Sequence, residues 1–154
     1  MHVFVETAVT DAAAHALLSE YFAYREQTFP SADGYVTTFP APSDFTPPAG
    51  LFLVVEIDGI AAGCGGIRSR GHDRFEVKHL WLRPAAQGQG LGRALLADLE
   101  RRAAELGARE LVLDTNSSLT AAGGLYSSSG YRAIEAYNDN PNATNWYAKN
   151  VSPR

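Results

Sequence analysis

Residues 75–82 alternate between two faces, and this alternation predicts a strand near the middle of the chain. The predicted faces carry Phe75, Val77 and Trp81 on one side, and Glu76, Lys78, Leu80 and Leu82 on the other. Arg83-Pro84 ends the strand, because proline has no N–H to donate to a sheet. Leucines then recur at helical spacing, which predicts an amphipathic helix over 91–106 that Gly107 ends.

Further strands and helices are predicted on both sides of this centre. Strands are predicted at 2–7, 51–57, 60–68, 110–114, 131–136 and 146–151, with a hairpin turn at Asp58-Gly59. Helices are predicted from Thr10 or Asp11 to Thr28, and from Ser117 or Ser118 to Ser129. Residues 29–50 form an ordered loop with room for one helical turn. We therefore expect one α/β (α+β) domain over 1–154, with a mixed six- or seven-stranded sheet flanked by helices.

Three glycines at alternate positions, Gly88, Gly90 and Gly92, lie between the central strand and its helix. A glycine-rich turn at a helix N-terminus exposes backbone N–H groups beside the positive end of the helix dipole. The spacing differs from the dinucleotide-binding Gly-x-Gly-x-x-Gly motif, and no Gly-Lys-Ser/Thr follows as in a P-loop. The turn predicts a phosphate site of a different kind.

The segment Gln87-Gly88-Gln89-Gly90-Leu91-Gly92 resembles the Gln/Arg-x-x-Gly-x-Gly/Ala acyl-CoA loop of the Gcn5-related N-acetyltransferase (GNAT) superfamily. Leu80-Trp81-Leu82-Arg83-Pro84 resembles the strand end that precedes this loop in the family. Leu125-Tyr126-Ser127-Ser128-Ser129-Gly130-Tyr131 resembles its Leu-Tyr-x-x-x-Gly-Phe/Tyr signature. The matching segments cover roughly residues 51–136.

The resemblance implies an acetyl-CoA-dependent N-acetyltransferase that acts on a small amine in a ternary complex. It also implies that the acyl-CoA arm enters a gap where the central strand and the 110–114 strand splay apart. The residues it implies for cofactor binding are Leu80, Trp81, Leu82, Gln87, Gly88, Gln89, Gly90, Leu91, Gly92, Arg93 and, out of register, Asn116. A non-catalytic acyl-CoA-binding domain and a protein N-terminal or lysine acetyltransferase are the alternatives.

Attack of an amine on a thioester requires a neutral amine, a stabilised oxyanion and a proton for the leaving thiolate. Glu76 is the candidate base, acting directly or through water, with a paired strand carboxylate as the alternative. Tyr126 is the candidate acid, with a core tyrosine as the alternative. A backbone N–H near Leu82 is the candidate oxyanion donor. His79 and Cys64 are expected to be non-catalytic.

Composition and charge narrow the function classes. The net charge of −4 and the lack of a basic patch argue against nucleic-acid binding. A single cysteine excludes a disulfide framework, and no metal site is expected. No apolar run is long enough for a membrane span, and no signal peptide is evident. We expect a cytoplasmic protein with no membrane partner, and its assembly as a monomer or a homodimer is left open.

The charge of the acceptor is open at this point. Residues 1–50 contain six acidic residues and one base, Arg25. An acidic N-terminal third favours a cationic amine acceptor. In the alternative, Arg25, Arg68 and Arg70 together bind the carboxylate of an amino-acid-like acceptor.

Overall fold

The computed structural model describes residues 1–152, and within that range it contains seven strands and three α-helices. Their bounds are β1 (His2–Glu6), α1 (Ala12–Thr28), β2 (Gly50–Ile57), β3 (Ile60–Gly71), β4 (Arg74–Leu82), α2 (Leu91–Glu105), β5 (Glu110–Thr115), α3 (Thr120–Ser128), β6 (Arg132–Ile134) and β7 (Asn145–Asn150). Short 3₁₀ turns lie at Pro42–Phe45 and Pro84–Ala86. The predicted mixed sheet flanked by helices is confirmed.

The strands form one sheet in the order β1-β2-β3-β4-β5-β7-β6. Neighbouring strands are antiparallel except for the central pair, β4 and β5, which is parallel. The β2–β3 connection turns at Asp58 and Gly59, both with positive φ, as the sequence predicts. Among residues 1–152, no helix is both long and apolar enough to cross a membrane.

Each face of the sheet is covered by its own apolar layer. On one face α1 packs Leu17, Leu18 and Phe22 against side chains of β2 such as Phe52 and Val54. The Asp11 side chain caps α1 by accepting from the Ala13 N–H at 3.0 Å, which decides between the two predicted caps.

The other face is covered by α2, whose buried leucines lie among side chains from β2 to β5. Leu95, Leu96 and Leu99 are each at most 1% exposed. Tyr126 of α3 and Tyr131 join the same apolar cluster. This layer holds α2 against β4, and so fixes the glycine turn that connects them.

The central strands β4 and β5 pair over only three residues and then part. The pairs run from Arg74↔Glu110 to Glu76↔Val112, although β4 continues to Leu82 and β5 to Thr115. A cleft opens between the two strands beyond Glu76. The structure thus contains the splay that the resemblance implies.

A β-bulge interrupts β4 at His79. The pairing with β3 shifts register between Lys78↔Gly66 and Trp81↔Cys64, and His79 has a φ of 59°. The extra residue exchanges the two faces of the strand. The prediction of one uninterrupted alternation over 75–82 is therefore wrong.

The exchange changes the surroundings of three side chains. Leu80 and Leu82 pack in the α2 layer together with Phe75 and Val77, whereas Trp81 joins the α1 layer. Glu76 is consequently on the face opposite to Leu80 and Leu82. This arrangement lets the apolar strand end pack under α2 while Glu76 faces the α1 side.

The helix α3 begins later than predicted. Its first residue is Thr120, after Leu119, because the N–H groups of Ser117 and Ser118 bond to Thr144 Oγ1 and Asn116 Oδ1 in a preceding turn. Close packing in β3 requires a glycine at position 66, since a Cβ at Gly66 would lie 2.8 Å from the Phe45 ring.

The positive φ of His79 has a consequence for stability. In an ordinary strand, alanine is more stable than glycine by roughly 0.5–1 kcal/mol. At a left-handed position the order reverses, since a Cβ there costs about 1–2 kcal/mol. We expect His79→Gly to be more stable than His79→Ala by about 1 kcal/mol in urea unfolding. Ala61→Gly in β3 is the control and should lower stability; an equal loss in both variants at position 79 would contradict the bulge.

Candidate active site

A cavity of about 510 Å³ lies at the mouth of the cleft between β4 and β5. Its walls are formed by α1, the loop 29–49, the ends of β3, β4 and β5, the region of α3, and the loop 137–145. The volume is typical of a small-molecule site. Among residues 1–152, no three His, Cys, Asp or Glu side chains are grouped as a metal site would require.

The edge of β4 presents backbone N–H groups to the cleft. The Arg83 N–H donates to Ala62 O of β3 at 2.9 Å. Because N–H groups alternate between the two edges of a strand, those of Leu82 and Leu80 point away from β3. These two N–H groups point into the cleft, because β5 pairs with β4 only as far as Glu76. An extended ligand with carbonyl groups fits this edge.

The glycine turn leads from this edge into α2. Gly88 and Gly90 have φ values of 77° and 79°, which glycine adopts at little cost. The Gln87 side chain ties the turn to the strand by donating from Nε2 to Leu82 O at 3.0 Å. A Cβ at Gly88 or Gly90 would meet no described atom within 4 Å, so the space outside the turn is open.

The N–H groups of residues 88–93 make no hydrogen bond within the described part of the chain. They lie in succession at the N-terminus of α2, where the helix dipole favours an anion. This arrangement fits the pyrophosphate of an acyl-CoA, as the sequence predicts for Gln87 to Gly92.

The Tyr126 side chain is 7% exposed and lies on the cavity wall. Its hydroxyl has no hydrogen-bond partner among the residues the structure describes. Burial raises the pKa of Tyr126, and Tyr21 and Asp114 raise it further, while Arg25 acts in the opposite direction. The hydroxyl is thus a neutral proton donor facing the cavity.

Glu76 is fully buried, and both its carboxylate oxygens are engaged. Oε1 accepts from Arg68 Nε at 2.9 Å, and Oε2 accepts from the Tyr137 hydroxyl at 2.5 Å. Burial and the Glu76 charge raise the pKa of Tyr137, so this phenol keeps its proton. Arg68 lies on the cavity wall but Glu76 does not. The carboxylate is therefore separated from the cavity.

His79 is half-buried on the cavity wall, and Cys64 is buried nearby. Burial lowers the pKa of His79 to about 3, with smaller contributions from Lys78 and Arg68, so the imidazole is neutral at pH 7. The His79 ring packs edge-on against the Phe22 ring, with 5.5 Å between the ring centres. Burial also raises the pKa of the Cys64 thiol, which keeps it a poor nucleophile.

Three residues predicted to bind cofactor have other contacts. The Trp81 ring packs against the Tyr24 ring in the α1 layer, with 5.2 Å between the ring centres. The Arg93 guanidinium donates to Ser128 Oγ at 2.7 Å and so holds the end of α3. Asn116 donates to Asn142 O at 3.2 Å and tethers the loop 137–145. The structure does not bring these side chains to the glycine turn.

Asp114 is a cavity residue that the sequence analysis did not single out. Its Oδ2 accepts from Asn138 Nδ2 at 2.8 Å and from Asn140 Nδ2 at 3.2 Å, and Lys78 lies 3.7 Å from Oδ1. The sequence does contain a signal for Asp114, since it lies at the carboxyl end of the predicted strand 110–114. In sheets with parallel strands, ligands usually bind at the carboxyl ends of those strands.

The two loops over the cavity are joined by the Asn142 side chain. Its Nδ2 donates to Val36 O at 2.8 Å, and its Oδ1 accepts from the Val36 N–H at 2.9 Å. This pair closes the rim between the loops 29–49 and 137–145. A ligand in the cavity is therefore covered on that side.

Comparison with known proteins gives a consistent picture. A family model described as the acetyltransferase (GNAT) family matches residues 11–131. An uncharacterised N-acetyltransferase of Schizosaccharomyces pombe is 35% identical over 99 residues, which are 63% of this chain and 61% of that protein. The matched part thus spans about three-fifths of that curated relative's length.

Two solved structures are similar over nearly the whole chain. A candidate acyl-CoA N-acyltransferase from Klebsiella pneumoniae has a TM-score of 0.80 at 28% identity, covering 98% of both chains. A GNAT family acetyltransferase from Elizabethkingia anophelis, solved with acetyl-CoA bound, has a TM-score of 0.68 at 17% identity. Its coverage is 97% of this chain and 98% of that one, and at this identity the likeness concerns the fold.

Proposed function

Since the chain belongs to the acetyltransferase (GNAT) family, we propose that it transfers the acetyl group of acetyl-CoA to the amine of a small molecule. The observation that supports this proposal is that the Tyr126 hydroxyl and the unpaired edge of β4 meet at one cavity. The unbonded Tyr126 hydroxyl faces the cavity into which the cleft edge of β4 opens. A non-catalytic acyl-CoA-binding domain would have no need of that proton donor.

The proposed cofactor position follows from the backbone. The pyrophosphate accepts hydrogen bonds from the N–H groups of residues 88–93, and the pantetheine arm lies along the Leu82 and Leu80 edge in place of a paired strand. Gly123 and Gly124 of α3 leave room beside the cleft, because a Cβ at either would meet no described atom within 4 Å. When bound, acetyl-CoA supplies the thioester that is attacked.

The residues of the chain then serve the transfer as follows. The amine nitrogen attacks the thioester carbonyl carbon in a ternary complex, and the Leu80 N–H donates to the developing oxyanion. As the carbon–sulfur bond breaks, Tyr126 donates its proton to the thiolate, and water then returns a proton to the phenol. Because Glu76 is separated from the cavity, the amine's proton leaves to water, and Glu76 fixes Arg68 and Tyr137.

A small acceptor is favoured over a protein acceptor by the covered rim. A lysine or a protein N-terminus needs an open groove through which a peptide can pass. Here Asn142 and Val36 join the two loops across the cavity. The acceptor we propose is therefore a metabolite-sized amine.

The glycine turn gives the direct test of cofactor binding. Acetyl-CoA at a hundred times its dissociation constant should stabilise the protein by ~2.7 kcal/mol. Gly90→Val should abolish this thermal shift, because a β-branched residue disfavours the left-handed turn and fills the phosphate space. Gly71→Val is the matched control, since Gly71 has a φ of 82° in the β3–β4 turn, far from the cofactor. An unshifted wild-type protein at millimolar acetyl-CoA would refute the proposal.

Removal of the Tyr126 hydroxyl tests its role as acid. Tyr126→Phe should lower kcat by about 10²–10⁴-fold, the range expected for a lost general acid. The acetyl-CoA dissociation constant should stay nearly unchanged, because the ring remains packed. Tyr147→Phe is the control for loss of a neighbouring hydroxyl. Wild-type turnover in Tyr126→Phe would exclude proton donation by this residue.

A Glu76 variant separates positioning from base catalysis. If Glu76 only fixes Arg68 and Tyr137, Glu76→Gln should leave the pH–rate midpoint in place. It should lower stability by roughly 1–3 kcal/mol, because the Arg68 guanidinium loses its buried anionic partner. A midpoint displaced toward alkaline pH would instead identify Glu76 as the base. Rates from pH 6 to about pH 10, with urea unfolding of both proteins, give the answer.

A further inference from the structure

Arg25 of α1 is a buried cation on the cavity wall. The residue is 6% exposed, and its guanidinium carbon lies 4.6 Å from the centre of the Tyr35 ring and 5.9 Å from that of Phe29. Its Nη1 donates to the Tyr21 hydroxyl at 3.1 Å. Within residues 1–152, no carboxylate lies within 4 Å of its charged nitrogens.

This situation is unusual for arginine. A buried guanidinium needs an anion or several acceptors to offset the loss of water. Aromatic faces supply part of that stabilisation, and one hydroxyl accepts a single hydrogen bond. The remaining N–H donors are left to the cavity, and their planar fork matches a carboxylate.

The two glutamates nearest to Arg25 in the sequence do not neutralise it. Glu20 accepts two hydrogen bonds from Arg83, at 2.9 and 2.7 Å, which lowers the pKa of Glu20. Glu26 accepts from the Thr37 hydroxyl at 3.1 Å. These two carboxylates therefore do not offset the positive charge of Arg25 in the cavity.

The other cavity cations differ from Arg25. Arg68 is paired with Glu76 and lies 3.7 Å from Asp44, and Lys78 lies 3.7 Å from Asp114. Arg70 is exposed at the rim, 6.0 Å from the centre of the Tyr137 ring. Arg25 alone is both buried and without an anion in the described residues. The three-arginine clamp that the sequence allows is thus reduced to one strong candidate.

Arg25 and Tyr126 line the same cavity. The Arg25 charge acts on the Tyr126 hydroxyl, lowering that pKa against the larger effect of burial. A single ligand in this cavity can therefore place a carboxylate on Arg25 and an amine beside Tyr126. A molecule that carries both groups is an amino carboxylate.

We propose that the acceptor is an amino carboxylate, held by its carboxylate on the Arg25 guanidinium while its amine faces the thioester. The inference rests on the proposed acetyl transfer and names the acceptor class for the same site. It reverses the preference for a cationic amine that the charge of the N-terminal third favours.

The test compares matched acceptors with the wild-type protein. A set of amino acids is assayed with acetyl-CoA by free-thiol release, each beside its carboxamide and the amine that lacks the carboxyl group. We expect the best amino acid to exceed both analogues in kcat/KM by at least about 30-fold, as for a buried charge-assisted pair. Equal or better use of the carboxylate-free amine would overturn the inference.

Variants of Arg25 connect the preference to this residue. Arg25→Met should reduce the ratio of kcat/KM for the amino acid to that for its carboxamide to about one, while the acetyl-CoA dissociation constant stays nearly unchanged. Arg25→Lys should recover part of the preference. Arg109→Met, at an arginine whose side chain is 74% exposed, is the control for lost charge and should retain it. An equal loss of kcat/KM for both acceptors in a folded Arg25→Met protein would overturn the inference. If that variant does not fold, the comparison of matched acceptors with the wild-type protein still tests the inference.

Two further outcomes are distinguishable. If acetyl-CoA does not bind, the proposed function fails and the inference fails with it. If acetyl-CoA binds and carboxylate-free amines are acetylated as well as amino acids, the inference alone fails. A preference for succinyl-CoA over acetyl-CoA that Arg25→Met abolishes would place the carboxylate on the donor, and would also overturn it.

Discussion

The parting of β4 from β5 is the constraint on which the site depends. Inside a folded protein, an unpaired strand edge leaves N–H groups that require a partner. Here β5 pairs with β4 only as far as Glu76, and the bulge at His79 follows immediately. The edge of β4 after His79 is available to a ligand. Packing of Leu80 and Leu82 against α2 keeps this strand end in place without a paired neighbour. The glycine turn, the cavity and Tyr126 are all arranged around this gap.

Most charged side chains on the cavity wall are already paired within the chain. Arg68 donates to the buried Glu76 behind the wall, and Asp114 accepts from two asparagines beside Lys78. Such pairing fixes side chains and leaves them little capacity to bind an acceptor. In a site so balanced, a buried charge without a partner carries more information than the total charge of the chain. For this reason we give Arg25 more weight than the acidic N-terminal third when inferring the acceptor.

The sequence predicts the local features well. Alternation locates the strands, and the glycine and Leu-Tyr motifs locate the open turn before α2 and Tyr126, because each depends on neighbouring residues. The bulge at His79 escapes prediction because histidine seldom adopts positive φ. The one trace of it in the sequence is the change of apolar positions from 75 and 77 to 80 and 82. The Glu20–Arg83 pair is equally invisible, as 63 positions separate its members. Contacts of that kind decide which charges remain free.

The same distinction explains why family membership leaves the acceptor open. The proposed cofactor half of the site is made of backbone N–H groups, which many sequences can present in one geometry. The proposed acceptor half is made of side chains from α1 and two loops, joined by Asn142 and Val36 across 106 positions. Substitutions there change the cavity while β4 and the glycine turn stay as they are. The acceptor must therefore be inferred from side chains such as Arg25, whose charge has no anionic partner among the described residues.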